Sequence, residues 1–140
     1  MIVLAVDPGE KNIGLAVSDP TGTIANPLTV IKHVSRPLDA AAIAQIAVER
    51  GTAYIVVGQA LDENGQSTYA GRRAMRLAAA IRTQTDIPVE LWDESSSTTT
   101  ARAARVAMDV SRNKRRGHLD ELAATVILQS YLDAHMPQNP

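Results

Sequence analysis

The chain has 140 residues, no cysteine, 21% charged residues and a formal net charge of −1. That length suits one domain, residues 1–140, with an ordinary buried core. The absence of cysteine excludes a disulfide framework and thiolate metal sites, and near-neutral charge argues against a generic polyanion binder. No stretch approaches the roughly 18 apolar residues of a membrane span, and no secretory leader pattern opens the chain. A cytoplasmic protein with no membrane association is expected.

In chain order, residues 2–6 are aliphatic and mostly β-branched, as in a central strand buried on both faces. A carboxylate, Asp7, follows at once, and Pro8-Gly9 breaks the run before apolar residues resume over 13–17 with Gly14 inside. Residues 23–31 form a third strand, which Asn26-Pro27 makes bulged or places at an edge. A helix over 37–50 puts Leu38, Ile43, Ile46 and Ala47 on one face and stops at Gly51. A short buried strand over 54–57 ends at Gly58, and a helix over 68–84 turns Leu77 and Ile81 inward and its arginines outward. Residues 89–92 form another strand, 98–109 a helix, and 118–134 a last helix with Leu119, Leu122, Ala123, Val126 and Ser130 along its stripe. Three leading strands followed by alternating helices and strands imply an α/β fold, a five-stranded mixed sheet with helices on both faces.

Functional groups on such sheets gather beyond the carboxyl ends of the parallel strands. The first strand ends in Asp7, the "VELW" strand runs into Asp93-Glu94, and the last helix carries Asp120 in its first turn. Each acid has an ordinary alternative: Asp7 as a turn cap, Asp120 as a favourable charge at a helix N-terminus. Together they form a carboxylate cluster, which a hard cation such as Mg²⁺ relieves. Two such ions can activate a water and stabilise the leaving oxygen of a phosphoryl displacement. Of the fourteen Lys and Arg residues, ten lie between Arg72 and Arg116 against five acids there, so that segment is +5 and the remainder −6. Such an asymmetry supplies attraction to a polyanion, and metal-bound carboxylates beside it point to nuclease chemistry.

The segments "AVDPGEKNIGLAVSDPTGTIANPL", "IVVGQALDENG", "IPVELWDE…STT" and "LDELAATVILQSYL" resemble, in order and spacing, the YqgF/RuvX family. The resemblance covers nearly the whole chain. It implies a ribonuclease H-like fold and a nuclease that requires Mg²⁺ or Mn²⁺, in a two-metal site, to hydrolyse phosphodiester bonds. It further implies action on the 5′ end of pre-16S rRNA, with Holliday junction resolution on branched DNA, by a symmetric dimer, as the alternative. The family's acidic residues carry over onto Asp7, Glu94 and Asp120, with Asp93 as a neighbour to the metals. Lys11, Arg112, Lys114, Arg115 and Arg116 are the candidate nucleic-acid contacts, in a monomer or homodimer. Two departures stand out: Ser95 replaces the arginine that usually follows Asp-Glu, and "VGQA" with Gln59 and Ala60 replaces "VGLP". Loss of that planar cation leaves open a third alternative, a non-catalytic nucleic-acid-binding module in ribosome assembly. Ser97 or Thr98 suits the N-cap of the helix that follows. His118 is either a solvated helix-start residue or a proton shuttle beside the metals.

Overall fold

The computed structural model describes residues 1–59, 68–93 and 119–135, with the backbone alone at 70 and 119–121. The helix expected over 98–109, the Ser97 or Thr98 cap, Ser95, Ala60 and His118 lie outside the described residues. So do Glu94 and the basic residues Arg112, Lys114, Arg115 and Arg116.

Five strands form one sheet: β1 (Val3–Pro8), β2 (Asn12–Ser18), β3 (Ala25–Lys32), β4 (Tyr54–Gln59) and β5 (Val89–Asp93). Their order is β3-β2-β1-β4-β5, with β1 antiparallel to β2 and parallel to β4. Helices α1 (Arg36–Glu49) and α2 (Tyr69–Arg82) cover one face, and α3 (Leu119–His135) covers the other. This is the mixed five-stranded sheet that the apolar pattern implied.

β1 runs through Asp7 to Pro8 rather than stopping at Val6, because Pro8 still pairs with Ile13 across the turn. The Gly9 N–H donates to the Asn12 carbonyl at 3.0 Å. A β-carbon on Gly9 would sit 2.3 Å from that oxygen, so only glycine closes the turn. β3 is the edge strand beside β2, and its register slips between Thr29 and Pro27, where proline cannot donate to the ladder. Gly51 follows α1 with φ of +66°, the left-handed conformation of a helix terminator.

The strand alternation sorts the core into two layers. Leu4, Val6, Ile55 and Val57 face α1 and α2, while Val3, Ala5, Ala16 and Val56 face α3. Leu77 and Ile81 of α2 point inward as expected. Leu38 does not: it is 60% exposed, and α1 instead buries Asp39, Ala40, Ile43, Ala44 and Ala47. Asp39 is tolerated there because it accepts from the Val34 N–H at 3.0 Å and pairs with His33 Nδ1. In α3 the sheet-facing stripe is Ala124, Ile127, Leu128 and Tyr131. Val126 and Ser130 are also buried, but Leu122 and Ala123 are only half-buried, so the expected stripe is out of phase. A helix apolar on most sides has no clear polar face to fix that phase.

α3 is anchored at its carboxyl half. Gln129 accepts from the Ala25 N–H at 2.9 Å and donates to the Thr23 carbonyl at 3.1 Å. Tyr131 stacks on Tyr54, whose hydroxyl donates to Glu90 at 2.6 Å, and Trp92 meets Tyr131 edge-on. Burial, together with the Glu90 charge and Tyr54, pushes the Tyr131 phenol up to about 12 from an ordinary 10.0. A group raised on folding stabilises the fold below its unfolded pKa, and that contribution is lost as pH climbs towards the folded value. Melting temperature should therefore fall between pH 10 and about 12, and fall less in Tyr131→Phe. Equal decline in both proteins would show that this phenol does not drive the alkaline loss.

Candidate functional site

Asp7 sits on the central strand, with the chain fixed on either side. It shares strand parity with Val3 and Ala5, so it lies on the α3 face, half-buried. Across β2 its partner is Gly14. On the other side, the last paired residues are Val6 and Val57, so the next step sets Gly58 beside Asp7. Glycine on both neighbouring strands lets another group approach the backbone beside Asp7. A glycine inside a strand signals such a close approach. Gly14 and Gly58 were visible in the sequence only as a weak strand residue and a strand terminator.

The first turn of α3 reaches the same level. Gln129 bonds the start of β3, which pairs with Ser18, and Ser18 Oγ accepts from the Val3 N–H at 2.8 Å. From that level, the nine helical residues back to Asp120 rise about 13 Å at about 1.5 Å each. The four strand residues from Val3 to Asp7 rise about 13 Å as well. Position 120 is also one turn before Ala124 on the sheet-facing stripe. The backbone of Asp120 thus lies at the carboxyl edge of β1, on the face that carries Asp7.

Asp93 is placed differently. It ends β5 opposite Gln59, and Val89 and Leu91, of the same parity, pack with the α1 and α2 layer. Trp92, of the other parity, packs with α3 and donates from Nε1 to Ser130 Oγ at 3.3 Å. Asp93 therefore falls on the face opposite Asp7. Lys11 is exposed in the β1–β2 turn, at the same edge of the sheet.

Among the described residues, no three His, Cys, Asp or Glu side chains are grouped closely enough to hold a metal ion. Asp7 alone of the expected triad has a described side chain. The donor type itself suits a hard cation: a carboxylate beside glycine positions, in a chain without thiols.

A family model described as "RuvX: Holliday junction resolvase" matches residues 1–134. The chain belongs to the RuvX family. Curated relatives carry the name "Putative pre-16S rRNA nuclease". One from Desulforamulus reducens is 37% identical over 96% of this chain and 98% of its own. Another, from Thermoanaerobacter pseudethanolicus, is 40% identical over 96% and 97%. Among solved structures, RuvC of Thermus thermophilus in complex with a Holliday junction substrate aligns with a TM-score of 0.65 at 15% identity, covering 97% of this chain and 96% of that one. The Fowlpox virus resolvase bound to Holliday junction DNA aligns at 0.59 with 14% identity, covering 98% and 100%. The RuvX chain therefore has the ribonuclease H-like fold of those resolvases. Among the described residues, no helix is long and apolar enough to cross a membrane.

A carboxylate surrounded by like charges is less stable ionised, whereas a turn-capping carboxylate loses a hydrogen bond when weakened. In EDTA, Asp7→Asn should melt a few degrees above wild type. Added Mg²⁺ should then raise wild type more than the variant. A variant that melts lower, with an unchanged response to Mg²⁺, would make Asp7 a turn cap.

Proposed function

We propose that this protein is a metal-dependent nuclease that hydrolyses phosphodiester bonds in maturing the 5′ end of pre-16S rRNA. The observation that carries the proposal is Asp7 on a central strand, flanked by two glycines and level with the first turn of α3. Family membership and the names of the curated relatives supply the reaction class and the substrate. Asp7, Glu94 and Asp120 would hold Mg²⁺ or Mn²⁺. Bound there, a pair of such ions supplies activation of a water and stabilisation of the leaving oxygen. Glu94 is preferred to Asp93 as the third ligand because the family's acidic residue carries over onto it, while Asp93 falls on the face opposite Asp7.

The remaining work falls to the chain. Rigid pairing of β1 on both sides holds the Asp7 carboxylate where it stands without reorganisation. The N-terminus of α3 turns its positive end towards the same edge, a field that favours phosphate. Lys11 would meet the substrate backbone at the β1–β2 turn, and Arg112, Lys114, Arg115 and Arg116 precede α3 in the chain as further phosphate contacts. Ser95 leaves the family arginine's contact to these cations. A chain without cysteine suits the reducing cytoplasm in which precursor rRNA is processed.

The resolvase description of the family and the junction-bound structures favour branched DNA as a second substrate. Cleavage of 5′-extended rRNA precursor and of a four-way DNA junction, each with Mg²⁺, Mn²⁺ or EDTA, separates the two. Wild type should cut the rRNA precursor only with metal, and Asp7→Asn, Glu94→Gln or Asp120→Asn should each reduce the rate by about a hundredfold or more. Cleavage in EDTA, or by Asp7→Asn at the wild-type rate, would contradict the assignment. Cutting of the junction alone would move the substrate to DNA.

A further inference from the structure

Behind the β1–β2 turn, on the α1 and α2 side of the sheet, lies an open cleft of about 810 Å³. Its volume is that of a ligand site rather than a packing defect. Pro8 and Gly9, the residues that follow Asp7 in the chain, line it, and so do the first turns of α1 and α2. Both crossover helices begin at the carboxyl edge of the sheet, so their positive ends face the cleft together.

Four arginines line it: Arg36, Arg72, Arg73 and Arg76. Of the two acids on the lining, only Glu10 pairs with one of them. Asp39 is only 4% exposed and is engaged by His33 Nδ1 and the Val34 N–H. Glu10 meets Arg73 at 3.5 Å, and the same guanidinium donates to the Pro8 carbonyl at 3.5 Å, which ties α2 to the turn after Asp7. Arg36 and Arg76 are exposed and have no hydrogen-bond or ion-pair partner among the described residues. Two exposed guanidinium groups on the wall of one cleft offer charge-assisted hydrogen bonds to an anion.

Tyr69 adds a different chemistry. It is 71% exposed at the start of α2, with the guanidinium carbons of Arg73 and Arg72 at 5.3 and 5.8 Å from its ring centre. An exposed ring pinned by cations beside unpaired arginines is the combination that holds a single strand: bases stack on the ring while arginines meet the phosphates. A duplex keeps its bases stacked inside and has no use for the tyrosine.

We propose that this cleft binds a single-stranded stretch of the nucleic-acid substrate, adjoining the bond to be cut. Because Pro8 and Gly9 line it, a strand leaving Asp7 crosses the sheet edge at the β1–β2 turn and enters the cleft. The proposal rests on the nuclease assignment for what binds at Asp7, but the cleft's own preference is a matter of binding alone.

Fluorescence anisotropy in EDTA tests it, with a labelled single-stranded oligonucleotide and a blunt duplex of the same sequence. Arg36→Ala with Arg76→Ala should weaken single-strand binding about tenfold at moderate salt. The slope of log K against log salt should drop by about 1.4, at about 0.7 per phosphate contact. Tyr69→Ala should weaken binding about tenfold with the slope unchanged, since stacking releases no counterions. Duplex binding should be the same in all three proteins, and an unchanged melting temperature establishes that the variants are folded. Wild-type affinity for single strands retained in both variants, or equal losses on the duplex, would overturn the proposal. Cleavage is measured separately in Mg²⁺. If the binding differences appear but wild type cuts nothing, the cleft stands and the nuclease assignment fails. If Asp7-dependent cleavage appears without the binding differences, the cleft proposal alone fails.

Discussion

Strand β1 is hydrogen-bonded along both edges and covered on both faces, so its residues have almost no freedom. Val3, Leu4, Ala5 and Val6 are at most 1% exposed, and the next residue is an aspartate. That constraint organises the molecule. The apolar stretch fixes the strand's height in the sheet, and the height fixes where the carboxylate emerges. The antiparallel hairpin with β2 and the parallel pairing with β4 then bring Gly14 and Gly58 to its sides. Parallel crossovers set the N-termini of α1 and α2 at the same edge, and the Gln129 anchor sets that of α3 there too. A carboxylate site and three positive helix ends share one rim of the sheet.

The two faces of that rim divide the work. On the α3 side stands Asp7, a carboxylate of the kind that suits a hard cation. On the α1 and α2 side stand arginines and an exposed tyrosine, suited to holding a strand that does not react. A local concentration of arginines lets the protein carry a net charge of −1 and still attract a polyanion. The rim is narrow: only the turn closed by Gly9 separates Asp7 from the arginine-lined cleft.

Strong local patterns made much of this legible in the sequence. The apolar run of β1, the proline in β3 and the glycine after α1 each force one local structure, and the mixed five-stranded sheet followed from the order of the elements. Asp7 was legible because a charge at the end of such a run is unusual. Leu38 misled because the helix phase was set by Asp39, whose burial depends on His33 and on the Val34 N–H, outside the helix. The α3 stripe misled because alanines and small polar residues on every side give no amphipathic phase. Asp93 was inseparable from its neighbour by sequence alone, and only the packing of Trp92 against α3 sets its parity. The cleft was illegible for a further reason: Arg36 and Arg76 come to one cleft only when α1 and α2 pack side by side, and no local spacing encodes that.

The central claim is that a hard cation binds beside Asp7, under the first turn of α3. Titrating Mn²⁺ at substoichiometric amounts while recording backbone amide resonances tests it directly, since the paramagnetic ion broadens only what lies near it. The account predicts that Val6, Asp7, Gly14, Gly58 and the first turn of α3 broaden first, that Ser18, Tyr54 and Gln129 at the opposite end stay sharp, and that Asp7→Asn abolishes the effect. Broadening centred on Asp19 or Glu90, or an Asp7→Asn protein that broadens as wild type does, would contradict it.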